Sequence, residues 1–236
     1  MPDPATNPGC PRSLALGDRG SMKSESASAF VLAGGQSSRM GHDKALLTLA
    51  GQPLIAHALT LLQTAGLSPE IAGARSDLSS YARVISDPNP DLGPLSGICN
   101  ALETSPSRHA VFIPVDLPIL PASLIAYLLH HAQITSAAVT LPSISGAANT
   151  FPAVLDRSVL PTLKSELDAG RRGCLASFHT AARVLGQPIS VIPIELLAQS
   201  GHAAHPRGLP AALWFLNVNT PADLKRAARH FPSQIA

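Results

Sequence analysis

Arg39 and Lys44 share the run LAGGQSSRMGHDKALL (32–47) with two adjacent glycines, Gly34 and Gly35. Paired glycines let a backbone turn tightly and bring its N–H groups close to a ligand, and successive exposed amides form a concavity that takes anions. An arginine adds a planar fork for phosphate oxygens and a lysine adds a compact mobile cation, so the pair suits a flexible polyphosphate. The run is neither GxxxxGK[ST] nor GxGxxG, so a phosphate bound here is held by a loop of another kind. The same composition also suits a tight turn whose basic residues are simply solvated.

Two later runs carry further candidates. PVDLP (114–118) sets Asp116 between two prolines directly after the apolar run AVFIPV. That is a rigid mount for a hard cation such as Mg2+, which takes few protein oxygens and completes its shell with phosphate and water. Capping of the helix that begins near Pro121 is the other reading of Asp116. In WFLNVN (214–219) the amide oxygens of Asn217 and Asn219 could complete a metal or phosphate site, or serve strand-end hydrogen bonding and capping. The HAAH pair within QSGHAAHPRGLPAA (199–212) reads as a solvated loop, and His130 and His131 form no ligand cluster. Arg171 and Arg172 could meet phosphates from a loop, although basic residues at a helix end commonly serve its dipole.

These residues need elements to position them. AFVLA (29–33) reads as a buried strand, PLIAHALTLLQTAG (53–66) as a helix, and EIAGA (70–74) and RVIS (83–86) as short strands. A helix through GICNALET, the strand AVFIPV (110–115), the helix PASLIAYLLHHAQ (121–133) and the strands AAVTL (137–141) and FPAVL (151–155) follow. Then come a helix in DRSVLPTLKSELDAG that Pro161 breaks or starts, the helix CLASFHTAARVL, and the strands SVIPI (190–194) and WFLNVN. The last helix, TPADLKRAARHF, has Thr220 as N-cap and Asp223 three residues later. Strands alternating with helices predict an α/β fold, a single Rossmann-like domain with a mostly parallel twisted sheet and helices on both faces. Ligands in such folds sit outside the carboxyl ends of the strands, where the three runs above fall.

The totals bound the function. The chain has 236 residues, enough for one domain over 28–236, preceded by residues 1–27, whose four prolines, three glycines and lack of apolar periodicity predict a disordered tail. A net charge of +2 and nine aromatic residues without basic runs argue against polymeric nucleic acid as a partner. Three widely spaced cysteines form neither a disulfide framework nor a zinc pair, which implies a reducing compartment. No apolar run is long enough for a membrane span and the N-terminal region has no apolar h-region, so a cytoplasmic protein without membrane contact is expected.

LAGGQSSRMGHDKALL resembles the signature LAGGxSxRMGxDKxLL of the molybdenum cofactor guanylyltransferase family, the MobA-like NTP transferases. SDPNPDLGPLSGI (86–98), PVDLP and FLNVNTPADL (215–224) resemble the family's later D-x-GPLxG, CDxP and LNxNTPxDL segments, in the same order. The resemblance covers Ala29 to the C-terminus. It implies transfer of GMP from GTP to the terminal phosphate of molybdopterin with release of pyrophosphate, and a guanine dinucleotide product. Carried over, Leu32, Ala33, Gly34 and Gly35 contact the nucleotide through the backbone, while Arg39 and Lys44 hold phosphates. Asp87 lies in the nucleotide site, Gly93 begins a GPLSG segment lining the pocket, and Asp116 holds Mg2+ with Asn219. The resemblance further implies a monomer that meets molybdenum-insertion or acceptor proteins transiently.

The chain departs from the family pattern in places. Ala72 or Ala74 stands where members often carry an asparagine, Val115 replaces the CDxP cysteine, and 199–212 has no counterpart. Rival readings are a cytidylyltransferase or sugar-1-phosphate nucleotidyltransferase of the same fold, and a noncatalytic nucleotide-binding protein. LAGG and the NTPADL ending favour the guanylyl branch.

Overall fold

The structure is a computed structural model and describes residues 27–34, 43–87 and 89–231. Residues 1–26 of the expected tail, together with Gly35 and Arg39, lie outside the described residues. The strands are β1 (Ser28–Leu32), β2 (Thr48–Leu49), β3 (Gln52–Pro53), β4 (Pro69–Ala72), β5 (Val84–Ile85), β6 (His109–Pro114), β7 (Val139–Ile144), β8 (Ala147–Ala148), β9 (Ala153–Asp156) and β10 (Ile189–Pro193). The helices are α1 (Leu54–Thr64), α2 (Pro94–Thr104), α3 (Ala122–Thr135), α4 (Leu160–Asp168), α5 (Cys174–Leu185), α6 (Ile194–Gln199), α7 (Ala211–Trp214) and α8 (Pro221–Ala228).

The main sheet runs β10-β7-β9-β6-β1-β4-β5, with β8 paired to β7. β1 pairs in parallel with β4 and β6, β4 with β5, and β7 with β10, whereas β9 lies antiparallel to both β6 and β7. A sheet covered on both faces needs apolar side chains at odd and even positions alike. Accordingly Val31, Val111 and Ile113 pack with α1 and α3 on one face, and Phe30, Leu32 and Phe112 with α2 and α5 on the other. Phe30 and Phe112 stack with centroids 5.2 Å apart across the β1–β6 pair. The predicted α/β architecture, a mostly parallel sheet with helices on both faces, is the one observed.

Several predicted elements hold with small boundary shifts. Pro161 starts α4 rather than breaking it, and α8 carries the full capping box between Thr220 and Asp223. WFLNVN is not a strand. Trp214 ends α7 and donates its indole N–H to the Leu209 carbonyl at 2.8 Å, and Leu216 and Val218 are buried in an extended loop. An apolar run marks burial before it marks a strand, and here burial comes from plugging the core rather than from pairing. The 199–212 segment is mostly exposed, but its HAAH run is anchored rather than fully solvated. Ala203 and His205 are buried, and the Ala204 backbone exchanges two hydrogen bonds with the Ser123 hydroxyl. Only His202 of the HAAH pair faces solvent. Among the described residues no helix is long and apolar enough to cross a membrane.

Candidate active site

The site forms where β1 and β6, neighbours in the sheet, end together. Leu32 and Pro114 are partners in register, and backbone pairing runs one residue past β1 toward β4 and one past β6 toward β1. Ala33 N–H donates to the Ala72 carbonyl at 3.2 Å and Val115 N–H to that of Leu32 at 3.3 Å. The chain leaving β1 and the chain leaving β6 therefore diverge from one line, and a cavity of about 520 Å³ opens between them. Leu32, Ala33 and Gly34 form one wall, Val115, Asp116 and Leu117 another, and Lys44 reaches in between.

Lys44 lies in a 3-10 turn, Lys44–Leu46, whose start is capped by Asp43: the carboxylate accepts the Ala45 N–H at 3.0 Å. The Lys44 ammonium donates to Asp116 Oδ2 and to Asn219 Oδ1. Three residues far apart in the chain thus meet at one point, 72 residues separating Lys44 from Asp116 and 175 separating it from Asn219. The Asn219 loop is docked by the Val218 N–H, which donates to the Asp116 carbonyl at 2.9 Å, and by the Asp223 carboxylate, which accepts the Asn219 N–H at 3.2 Å. Asp116 does not cap α3, which begins after Pro121 without any side-chain cap.

The residues present suit a hard cation. Asp116 Oδ1 is buried and has no hydrogen-bond partner among the described residues, while its Oδ2 and the Asn219 oxygen already attract one cation, the Lys44 ammonium. A buried carboxylate oxygen left unpaired is costly unless a proton donor or a metal meets it in the working state.

Other expected residues stand further back. Asp87 does not line the cavity. It is buried, and its Oδ1 accepts the Asn89 N–H at 2.9 Å, the Ser96 hydroxyl at 2.8 Å and the Asn100 amide at 3.1 Å. These bonds tie the segment before α2 to its first two turns; Gly93 at φ 80 is the N-cap and Pro94 reaches the cavity wall. Arg171 is paired with Glu166 and Arg172 donates to the Asp91 carbonyl at 2.9 Å, so neither lines the cavity.

Sequence reasoning missed Arg75, Asp43, Asn149, Thr150 and Phe151, all on the cavity wall. Arg75 follows β4 and so obeyed the rule that residues after strands matter. The run 149–151 precedes β9, and only an antiparallel β9 brings the start of a strand to the end where β6 finishes, as the pairing of Ala153 with Phe112 shows. The Arg75 guanidinium binds Asp77 and Asp43 together, and the Asp77 hydrogen bond first, then those of Asp43, raise its pKa against the effect of burial.

Comparison with known proteins agrees with this geometry. A profile of the MobA-like NTP transferase domain matches residues 29–188. A probable molybdenum cofactor guanylyltransferase from Carboxydothermus hydrogenoformans is 30% identical over 203 residues, 85% of this chain and 94% of the relative. A molybdenum cofactor guanylyltransferase from Vibrio cholerae is 32% identical over 198 residues, covering 82% and 87%. Among solved structures, molybdopterin-guanine dinucleotide biosynthesis protein A from Archaeoglobus fulgidus superposes with a TM-score of 0.69 at 23% identity, covering 86% of this chain and 97% of that one. The chain belongs to the MobA-like NTP transferase family and is a nucleotidyltransferase.

Proposed function

We propose that this protein transfers GMP from GTP to the terminal phosphate of molybdopterin, with release of pyrophosphate, in a Mg2+-dependent reaction that makes the guanine dinucleotide form of the molybdenum cofactor. The observation that carries this reading is the convergence of Lys44, Asp116 and Asn219 at the ends of β1 and β6, with one Asp116 oxygen unpaired. The choice of guanylyl transfer rests on the similarity to the relatives named above.

The chemistry asks little covalent work of the protein. An oxygen of the acceptor phosphate attacks the α-phosphorus of GTP, the bond from that phosphorus to the bridging oxygen breaks, and pyrophosphate leaves with the electron pair. The acceptor is largely dianionic near neutral pH, its second pKa being about 6, so no general base is needed. What remains is alignment of attacker and leaving group, and neutralisation of charge. Backbone groups of Ala33 and Gly34 line the donor side, and Lys44 moves its charge from Asp116 to the phosphates once they arrive. Asp116, through its unpaired Oδ1, and Asn219 would hold Mg2+. When bound, the metal neutralises charge on the phosphoryl oxygens.

The test is a titration of the purified protein with GTP, CTP, ATP and UTP, each with and without Mg2+, followed by melting temperature, and then turnover with molybdopterin. A ligand that binds only the native state raises the melting point with its concentration. GTP-selective stabilisation strengthened by Mg2+, with guanine dinucleotide formed in turnover, is the expected result. Preference for CTP assigns the cytidylyl reaction instead, and no response to any nucleotide refutes the transferase reading of the site.

A further inference from the structure

The turn that follows β4 touches the chain on both sides of residues 35–42. At its start, Gly73 has φ +145 and lies against Gly34: a Cβ at Gly73 would meet Gly34 N at 3.0 Å and Gly34 Cα at 3.2 Å. Two residues on, Arg75 crosses to Asp43. Its Nη1 donates to Asp43 Oδ1 at 3.0 Å, the oxygen that also caps the Lys44 turn through Ala45 N–H, and its Nη2 donates to Asp43 Oδ2. On its other side Nε and Nη2 donate to Asp77 at 2.9 and 2.7 Å. The Arg75 side chain is 17% exposed and Asp77 is 54% exposed, so one carboxylate of the pair faces the site and the other faces water.

A guanidinium has five N–H donors, and four of these are committed to the two carboxylates. The cluster of one arginine and two aspartates carries a net negative charge and does not attract a polyphosphate. Yet Arg75 lies on the cavity wall beside Asp43 and Lys44. We propose that Arg75 is a positioning residue for Lys44: by forking Asp43 it orients the carboxylate that caps the Lys44 turn and neutralises it, so that the ammonium is aimed at Asp116 and the incoming phosphates rather than captured by Asp43. The inference rests on the nucleotide reading of the site and names the residue that keeps its cation available. A bidentate arginine fits the task because its planar fork fixes carboxylate orientation, which a lysine does not.

The experiment is a double-mutant cycle on the full chain, with Arg75→Met, Lys44→Met and both together, read by calorimetric GTP affinity, by turnover and by melting temperature of the free protein. Arg75→Met is expected to weaken GTP binding roughly tenfold in the Lys44 background and less than about twofold in the Lys44→Met background, since coupled neighbours lose their effect together. Arg75→Lys restores part of the affinity, and it replaces Arg75→Met in the cycle if the latter does not fold. A loss shared between fold and site would be equal in both backgrounds, and equal losses overturn the proposal, as does wild-type affinity in Arg75→Met. If the wild-type protein binds GTP and the losses are additive, this inference alone fails. If the wild-type protein binds no nucleoside triphosphate, the nucleotide reading and the inference fail together.

Discussion

The Lys44 ammonium donates to Asp116 and to Asn219, the two residues that the proposed function assigns to Mg2+. On the proposed function, Mg2+ held by Asp116 Oδ1 and the Asn219 oxygen would share Asn219 with the Lys44 ammonium, and its arrival would release that ammonium toward phosphate. Asp116→Ala is expected to lower Mg2+-dependent pyrophosphate release by at least about a thousandfold, the scale of losing a preorganised charge in phosphoryl transfer. Its melting temperature should stay within a few degrees of wild type, because the Asp116 carbonyl still accepts from Val218 and the deleted carboxylate had one unpaired buried oxygen. Pyrophosphate release and a melting curve on the same preparation check both parts. Lys44→Met should weaken GTP binding roughly ten- to a hundredfold, the range of a hydrogen bond to a charged group. Mg2+ binding without nucleotide should be retained or strengthened in that variant, since Asp116 no longer has an internal cation, and titration calorimetry reads it directly.

At the scale of the element, the close approach of Gly73 to Gly34 sets the exit path of β1. Gly73→Ala places a methyl group against backbone that cannot yield like a flexible side chain, at a φ that L residues rarely adopt. The expected cost is about 1–3 kcal/mol of stability, with weaker GTP binding because the Gly34 backbone must move. Chemical denaturation and nucleotide titration of the variant report the two effects separately. The last helix offers a complementary case. Thr220 and Asp223 close a capping box, and Asp223 also accepts the Asn219 N–H. Thr220→Ala should cost about 1 kcal/mol and raise the Mg2+ concentration needed for half-maximal activity, because the loop that presents Asn219 loses part of its anchor. Asp87 belongs at this scale as well: it ties the chain at Asn89 to Ser96 and Asn100 in the first two turns of α2, the helix whose first residue, Pro94, lies on the cavity wall.

At the scale of the whole molecule, the sheet joins segments from both halves of the chain, and the 199–212 segment closes it from the side of α3. Within that segment His205 is buried and accepts the Arg207 N–H at Nδ1, 3.1 Å away, which requires an unprotonated nitrogen. Burial, then the charges of Arg207 and His230, lower its pKa from the usual 6.5. A histidine whose folded pKa is depressed contributes stability above its ordinary pKa and loses it as pH falls through the folded value. The melting temperature should therefore drop on acidification below about pH 6.5, and His205→Asn, which keeps an acceptor but does not titrate there, should flatten this part of the profile. Much of this architecture and site was legible from order and local chemistry alone. Alternating apolar runs and helical segments implied the α/β class that is observed, and the runs after the first strand and between two prolines singled out Lys44 and Asp116, which the structure brings together at one cavity. These signals are short-range, carried by residues whose backbone and charge properties hold in any context. Only the tertiary structure decided that β9 runs antiparallel and brings residues 149–151 to the cavity, that WFLNVN plugs the core without pairing, and that Arg75 forks Asp43 while Lys44 meets Asp116. Strand direction and the pairing of charges 32 and 72 residues apart depend on which surfaces the packed sheet brings face to face, and no local propensity encodes that.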